Sequence, residues 1–299
     1  MKVCLCLIFA LLACTAVAQV NTSDPEARNR ELFQTYGYCL GQQRSLDQIR
    51  RDFPSLGVSL YQAEAAFSVT FGKSCTAIGE QFSDAVRQRL KDEFDKKLPA
   101  TSITESVARD FIARVSSRAK GDIDTPVKET LLSFNPDFRK SPGLEFMRGF
   151  TRTYSTANHP KAKGLNLEIK VPMSWMAREG NRPNVVQFFK AEYGRSDVAA
   201  LIMVQQFTPP KGVRVTQRDI DELFSARNLK DFVPDGAKIL ESKPITLEGS
   251  NGGMWVLEER GERLDFSMTM RTLQYAILYN NRLIFLKFAA GGTEDTRAE

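Results

Sequence analysis

An α+β protein, with a helical N-terminal part followed by an antiparallel sheet, is what this chain predicts. Three observations predict it. Apolar residues recur at helical spacing from Pro25 to Leu132. At Leu165, Leu167, Ile169 and Val171 the spacing changes to strict alternation with polar Asn166, Glu168 and Lys170. That is the period-two signature of a strand with one face in the core and one in water. After it come further strand-like runs separated by turn residues, with one short helix among them.

The first eighteen residues read as a secretory signal. Lys2 precedes an apolar run from Val3 to Ala13, and Ala16-Val17-Ala18 suits cleavage before Gln19. The run is shorter than the roughly 18 residues that a spanning helix needs. A competing reading takes Leu11-Leu12-Ala13-Cys14 as a lipobox, with Cys14 carrying a lipid anchor. No later stretch is apolar enough to span a bilayer. The expected location is extracytoplasmic, periplasmic or secreted, with a lipoprotein as the alternative.

The chain has 299 residues and a formal charge of +5, a diffuse basic excess that does not point to nucleic acid. Cysteine is more informative. Cys4, Cys6 and Cys14 lie in the signal, which leaves Cys39 and Cys75. Two cysteines in an exported chain most simply form one disulfide. Two buried thiols are the alternative. Zinc needs three or four protein ligands, and His159 is the sole histidine. No metal or other cofactor is expected.

Residues 19–134 read as an α-helical domain. A helix from Pro25 to about Leu40 carries Leu32, Phe33, Tyr36 and Cys39. Ser45 and Gln48 fit a capping box for a second helix, which Pro54 stops. A third follows Ser59 and leads to Cys75. Phe82, Val86, Leu90, Phe94 and Leu98 recur every four residues in a fourth. Ser102 and Glu105 cap a fifth, and Thr125-Pro126 opens a sixth. Residues 135–164 hold prolines, glycines and a polar run, and read as a linker or docking segment.

Residues 165–290 form the sheet domain. Expected strands are Leu165–Val171, Val185–Tyr193, Val198–Phe207, Lys238–Leu247 and Met254–Arg260. Thr216 and Asp219 cap a helix carrying Ile220, Leu223 and Phe224. Leu264–Tyr279 is long, and its apolar phase passes from even positions to odd ones, which predicts a β-bulge. Asn280-Asn281 suits a tight hairpin into Leu283–Phe288. Residues 291–299 read as a loose polar tail.

This order of elements resembles the PsbP-like family, named for an extrinsic photosystem II subunit. The residues that carry the resemblance are a strand into VPMSW (Val171 to Trp175), a Pro-bearing loop before a capped helix, AKILESKPITL, GGMWVLEE and a final hairpin. The resemblance covers residues 165–290 and not the helical part. It implies a central antiparallel sheet with helices on its faces, and a non-catalytic role in binding or assembly. No functional residue of the family can be matched position by position.

The residues themselves spell out no chemistry. His159 sits in Asn158-His159-Pro160, a turn setting ill suited to a catalytic triad. Gly249, Gly252 and Gly253 lie between strands, where turn geometry accounts for them. Carboxylates such as Glu64, Glu80, Glu258, Glu259, Glu262 and Asp265 form no evident pair. The expectation is an exported, non-enzymatic binding or assembly factor of the bacterial envelope, with an unidentified envelope protein or small ligand as partner. Alternatives are a small-molecule or lipid carrier with a cleft behind the sheet, and a carboxylate-dependent hydrolase. The candidate partner surface is the loop with Arg178 and Arg182, held by Gly180 and Pro183, beside Trp175. Trp175 and Trp255 read either as core or as the lining of a cleft.

Overall fold

A computed structural model describes residues 25–97, 103–194, 196–209, 211–212, 214–263 and 266–292. The signal segment 1–18 with Cys14, and all but the first two residues of the tail at 291–299, lie outside the described residues.

The chain opens on α1 (Pro25–Asp52), one helix where the sequence predicts two. Nothing between Leu40 and Ser45 breaks a helix. Ser45 sits inside it and returns its hydroxyl proton to the Gly41 carbonyl at 2.9 Å instead of capping. Gly37 and Gly41 leave a flat place on α1 where the Phe94 ring lies. Next come α2 (Gly57–Phe67), a π-turn (Ser68–Gly72) and α3 (Lys73–Gly79). They are followed by α4 (Asp84–Lys97), α5 (Glu105–Ala119) and α6 (Thr125–Ser133). Thr104 caps α5 by accepting from the Val107 amide; Ser102 lies outside the described residues. The core of this part gathers Phe71, Ile78, Val115, Leu131 and Leu132, all fully buried. Cys39 and Cys75 form a disulfide that joins α1 to α3, with Cα atoms 5.9 Å apart.

Residues 135–164 are folded. Asn135 caps α7 (Pro136–Lys140) through the Asp137 amide and donates its own amide proton to the Thr70 carbonyl in the π-turn. Then follow α8 (Gly143–Met147) and β1 (Thr151–Ser155). β1 pairs with β2 (Glu168–Pro172) as a separate two-stranded sheet. The alternation at Leu165–Val171 signals a strand correctly but not its partner. β1 reads Thr-Arg-Thr-Tyr-Ser and has no alternating apolar set, so nothing in the sequence announces it. Ahead of β2, Thr156 extends the pairing with its side chain. Its hydroxyl donates to the Leu165 carbonyl and accepts from the Leu167 amide, both at 2.8 Å.

A seven-stranded antiparallel sheet follows. Its strands are β3 (Met176–Glu179), β4 (Val185–Lys190), β5 (Val198–Gln206), β6 (Lys238–Leu247), β7 (Ser250–Arg263), β8 (Phe266–Tyr279) and β9 (Arg282–Gly292). The order across the sheet is β3-β4-β5-β9-β8-β7-β6. β4 stops three residues short of the expected strand because the chain turns through α9 (Ala191–Gly194), with Glu192 at φ 51° and Gly194 at φ 78°. α10 (Gln217–Leu223) carries the complete capping box of Thr216 and Asp219. Asn280-Asn281 takes positive φ at both residues, as the tight hairpin requires. Glu248-Gly249 does the same between β6 and β7, so those strands reach closer to the turn than expected.

The expected bulge in β8 is not there. β8 pairs without a register shift with β7 and with β9. Both faces of this strand are covered, which removes the need for a slip. Ala276 and Leu278 face a core under α10, built with Phe224, Leu229, Trp255, Leu257 and Phe285. Ile277 faces the opposite core with Val186, Phe189, Ile202, Val204 and Ile284. An apolar residue on either parity therefore finds cover. The irregularities fall elsewhere, at Val185/Gln187 and at Ile239/Glu241.

The helical part and the sheet share a polar joint, half-buried at Arg152 and buried at Glu145. The Arg152 guanidinium of β1 donates to Glu129 of α6 at 3.1 Å and to the Trp175 carbonyl before β3. Glu145 of α8 accepts from the Ser174 amide at 2.8 Å and from the Ser174 hydroxyl at 2.5 Å. Phe150 crosses the same boundary, with its ring 5.8 Å from Phe71 and 6.2 Å from Phe138. Met173, from the β2–β3 connection, packs on the same helical core.

Candidate partner surface

Of the four residues that the sequence singles out for a surface, the structure removes the two tryptophans. Trp175 is 6% exposed and belongs to the core between the sheet and the β1–β2 pair. Trp255 is wholly buried, and its indole N–H donates to the Leu229 carbonyl at 2.8 Å. The reason is geometric. Odd positions of β7 face α10 and the turn after it. Gly253 leaves the space in which the Trp255 ring lies, since a Cβ there would come within 2.6 Å of that ring. Neither ring is available to a partner.

Arg178 and Arg182 are exposed. Arg178 sits on the edge strand β3 and Arg182 in the β3–β4 loop. The sheet supplies what the sequence hides. Arg178 pairs with Phe188, Phe188 with Leu201, Leu201 with Lys287, Lys287 with Gln274 and Gln274 with Trp255. These six residues form one row across six strands. They share a face, because the alternate residues Ala177, Phe189, Ala200 and Leu286 all point to the opposite core. At the Trp255 end the row is buried, with Gln274 only 1% exposed. From Lys287 to Arg178 it opens: Lys287, Leu201 and Phe188 are half-buried, and Arg178 is exposed. Lys190 lies on this face two residues along β4 from Phe188, opposite Met176.

Charges are unevenly matched here. Among the described residues, none of Arg178, Arg182, Lys190 and Lys287 makes an ion pair. Burial holds the Lys287 ammonium below its ordinary value; Glu259 pulls it up, and the charge of Arg182 pushes it down again. The Lys287 ammonium rests 5.8 Å from the centre of the Phe285 ring. Beside it, the Gln274 side-chain oxygen is buried without a hydrogen-bond partner.

Two of the carboxylates that the sequence offers are engaged, and Asp265 lies outside the described residues. Glu64 pairs with Arg50 at 2.6 Å and Glu258 with Arg271 at 3.2 Å. Among the described residues, the least exposed carboxylate is one that the sequence does not reveal. Glu145 is 1% exposed, and burial raises its pKa against the opposing pull of Ser174. Both of its oxygens are taken by Ser174, which fits a joint and leaves no free oxygen for a substrate. Tyr154, whose hydroxyl donates to Gln187 at 3.1 Å, is pushed up to about 12 by burial and by Glu179. His159 caps the turn Pro160–Ala162 by accepting from the Lys161 amide at 3.2 Å. Among the described residues, no group of three or more His, Cys, Asp or Glu could hold a metal ion. No described helix is long and apolar enough to cross a membrane.

Fold and surface together define an α+β protein in which the β1–β2 pair backs one face of a seven-stranded antiparallel sheet and the opposite face ends in an open basic edge. No family model matches the chain, and no curated protein does. Among solved structures it is similar to cyanobacterial PsbP (CyanoP) from Synechocystis sp. PCC 6803. That match has 16% identity and a TM-score of 0.31, and covers 48% of this chain and 81% of the other. It is also similar to PA94, a protein of unknown function from Pseudomonas aeruginosa. There the identity is 11% and the TM-score 0.22, with 48% and 83% covered.

Proposed function

We propose that this is an exported, non-enzymatic protein that works by binding a partner protein of the envelope through the open edge of the α10 face. One observation carries the reading. A half-exposed apolar floor, Phe188 and Leu201, is flanked by the cations Arg178 and Lys287, neither of which has an ion pair among the described residues, Glu259 acting on Lys287 only from beyond ion-pair distance. Unpaired Arg and Lys beside exposed aromatic surface are the ingredients of an interface anchor. Export rests on the signal-like residues 1–18 and agrees with the Cys39–Cys75 disulfide.

The test uses the full chain as bait in native envelope extract, beside an Arg178→Ala/Arg182→Ala variant. A partner that is retained by the parent and lost by the variant supports this face, provided the melting temperature is unchanged. Equal retention removes it. Turnover of an envelope substrate, abolished by a single carboxylate substitution, would replace binding with catalysis.

A further inference from the structure

The open row fixes more than the sign of its partner. From Arg178 to Lys287 the row steps from β3 to β4, β5 and β9. Three inter-strand steps of about 4.8 Å separate the two cations by about 14 Å along the sheet. An extended chain advances about 3.4 Å per residue, so it covers the same distance in four residues. Its side chains alternate, so residues i, i+2 and i+4 point the same way. A strand lying along the row would therefore set residue i over one cation, residue i+4 over the other, and residue i+2 over Phe188 and Leu201.

We infer that this face docks an extended segment of a partner protein with the pattern acid–x–apolar–x–acid, its carboxylates meeting Arg178 and Lys287. This rests on the proposed partner-binding role and names the chemistry of that partner. Charge complementarity sets the ends, since no described carboxylate pairs with either cation. The floor sets the middle, since Phe188 and Leu201 are half-exposed and apolar. Arg182 and Lys190 border the row and add attraction without fixing spacing.

The test is an amide NMR titration of the full chain with a blocked peptide, Glu-Ser-Leu-Ser-Glu. Two controls have the same length: Ser-Leu-Ser-Glu-Glu, with the acids adjacent, and Lys-Ser-Leu-Ser-Lys. The expected result is saturable shifts at Phe188, Leu201 and Lys287 with the first peptide. Both controls should bind about five- to tenfold more weakly, the effect of losing one or two surface ion pairs. In the charge-reversed variant Arg178→Glu/Lys287→Glu the preference should turn to the lysine peptide. If that variant fails to fold, Arg178→Glu and Lys287→Gln are tested singly, and each should reduce the preference for the spaced acids. Equal binding of both acidic peptides, or of heparin and acidic vesicles at the same residues, would mean spacing-blind attraction and overturn the inference. Loss of partner capture by Arg178→Ala/Arg182→Ala without peptide binding at the row leaves the docking role standing and rejects the pattern. Peptide binding at the row with capture unchanged rejects the role of this face.

Discussion

Two polar regions of this molecule use the same residue types to opposite effect. In the joint between the helices and the sheet, Arg152 donates to both Glu129 and the Trp175 carbonyl, and Glu145 takes two hydrogen bonds from Ser174. On the open edge, Arg178, Arg182, Lys190 and Lys287 form no ion pair among the described residues. Burial separates the extremes, fully buried Glu145 and exposed Arg178 and Arg182, while Arg152, Lys190 and Lys287 lie between them as half-buried groups. A charge withdrawn from water must find partners or destabilise the fold, whereas an exposed one is kept solvated at little cost. The joint therefore holds the two parts together, while the edge remains free to meet something else.

Substitutions should separate the two regions, and the largest effect belongs to the joint. Glu145→Ala leaves the buried Ser174 amide and hydroxyl without acceptors and should cost about 2–4 kcal/mol. Urea unfolding would show a lower midpoint, and an unchanged midpoint would deny the joint its structural role. Arg152→Ala should cost less, about 1–2 kcal/mol, because its side chain is a third exposed and solvent takes up part of the loss.

The pH dependence sharpens the contrast by its sign. Burial raises the pKa of Glu145 and of Glu129 above the ordinary value of 4.5. The folded state thus binds these protons more tightly than the unfolded chain. Their contribution is most favourable below the unfolded value and is lost as pH rises through the raised folded values. Going from pH 7 down towards 4.5, these two groups should therefore add stability. Glu145→Gln, compared with the parent over that range by thermal melts, should flatten the trend. Asp219, the acceptor of the α10 capping box, has the opposite sign. Its pKa is lowered by the Thr216 amide and hydroxyl, so its contribution fades as pH falls through the lowered value.

The smallest effect belongs to the edge. Arg178→Ala/Arg182→Ala should change stability by less than about 0.5 kcal/mol, because both side chains are exposed and make no described ion pair. A loss as large as that of Arg152→Ala would place the edge with the joint as a structural feature.

Element types were legible in the sequence; partners were not. Alternation at Leu165–Val171 marked a strand, yet its neighbour β1 lacked any apolar rhythm and lay inside an apparent linker. The phase change in Leu264–Tyr279 was real, but it recorded two covered faces and not a bulge. Arg178 and Arg182 stood out because they are close in sequence. Lys287, more than a hundred residues away, could join them only through strand pairing. Glu145 gave no signal, since a lone glutamate in a short helix looks like any surface carboxylate until Ser174 closes over it.

By itself the sequence determined the fold class, the succession of helices and strands, the capping of α10, the Asn280-Asn281 hairpin and the Cys39–Cys75 pair. These depend on local periodicity, on backbone preferences at turns and caps, and on cysteine number. Only the tertiary structure decided which face each tryptophan occupies, which carboxylate is buried, and which cations share a row. Those properties are set by the register between strands distant in the chain, and one residue of slip would send every side chain to the other face.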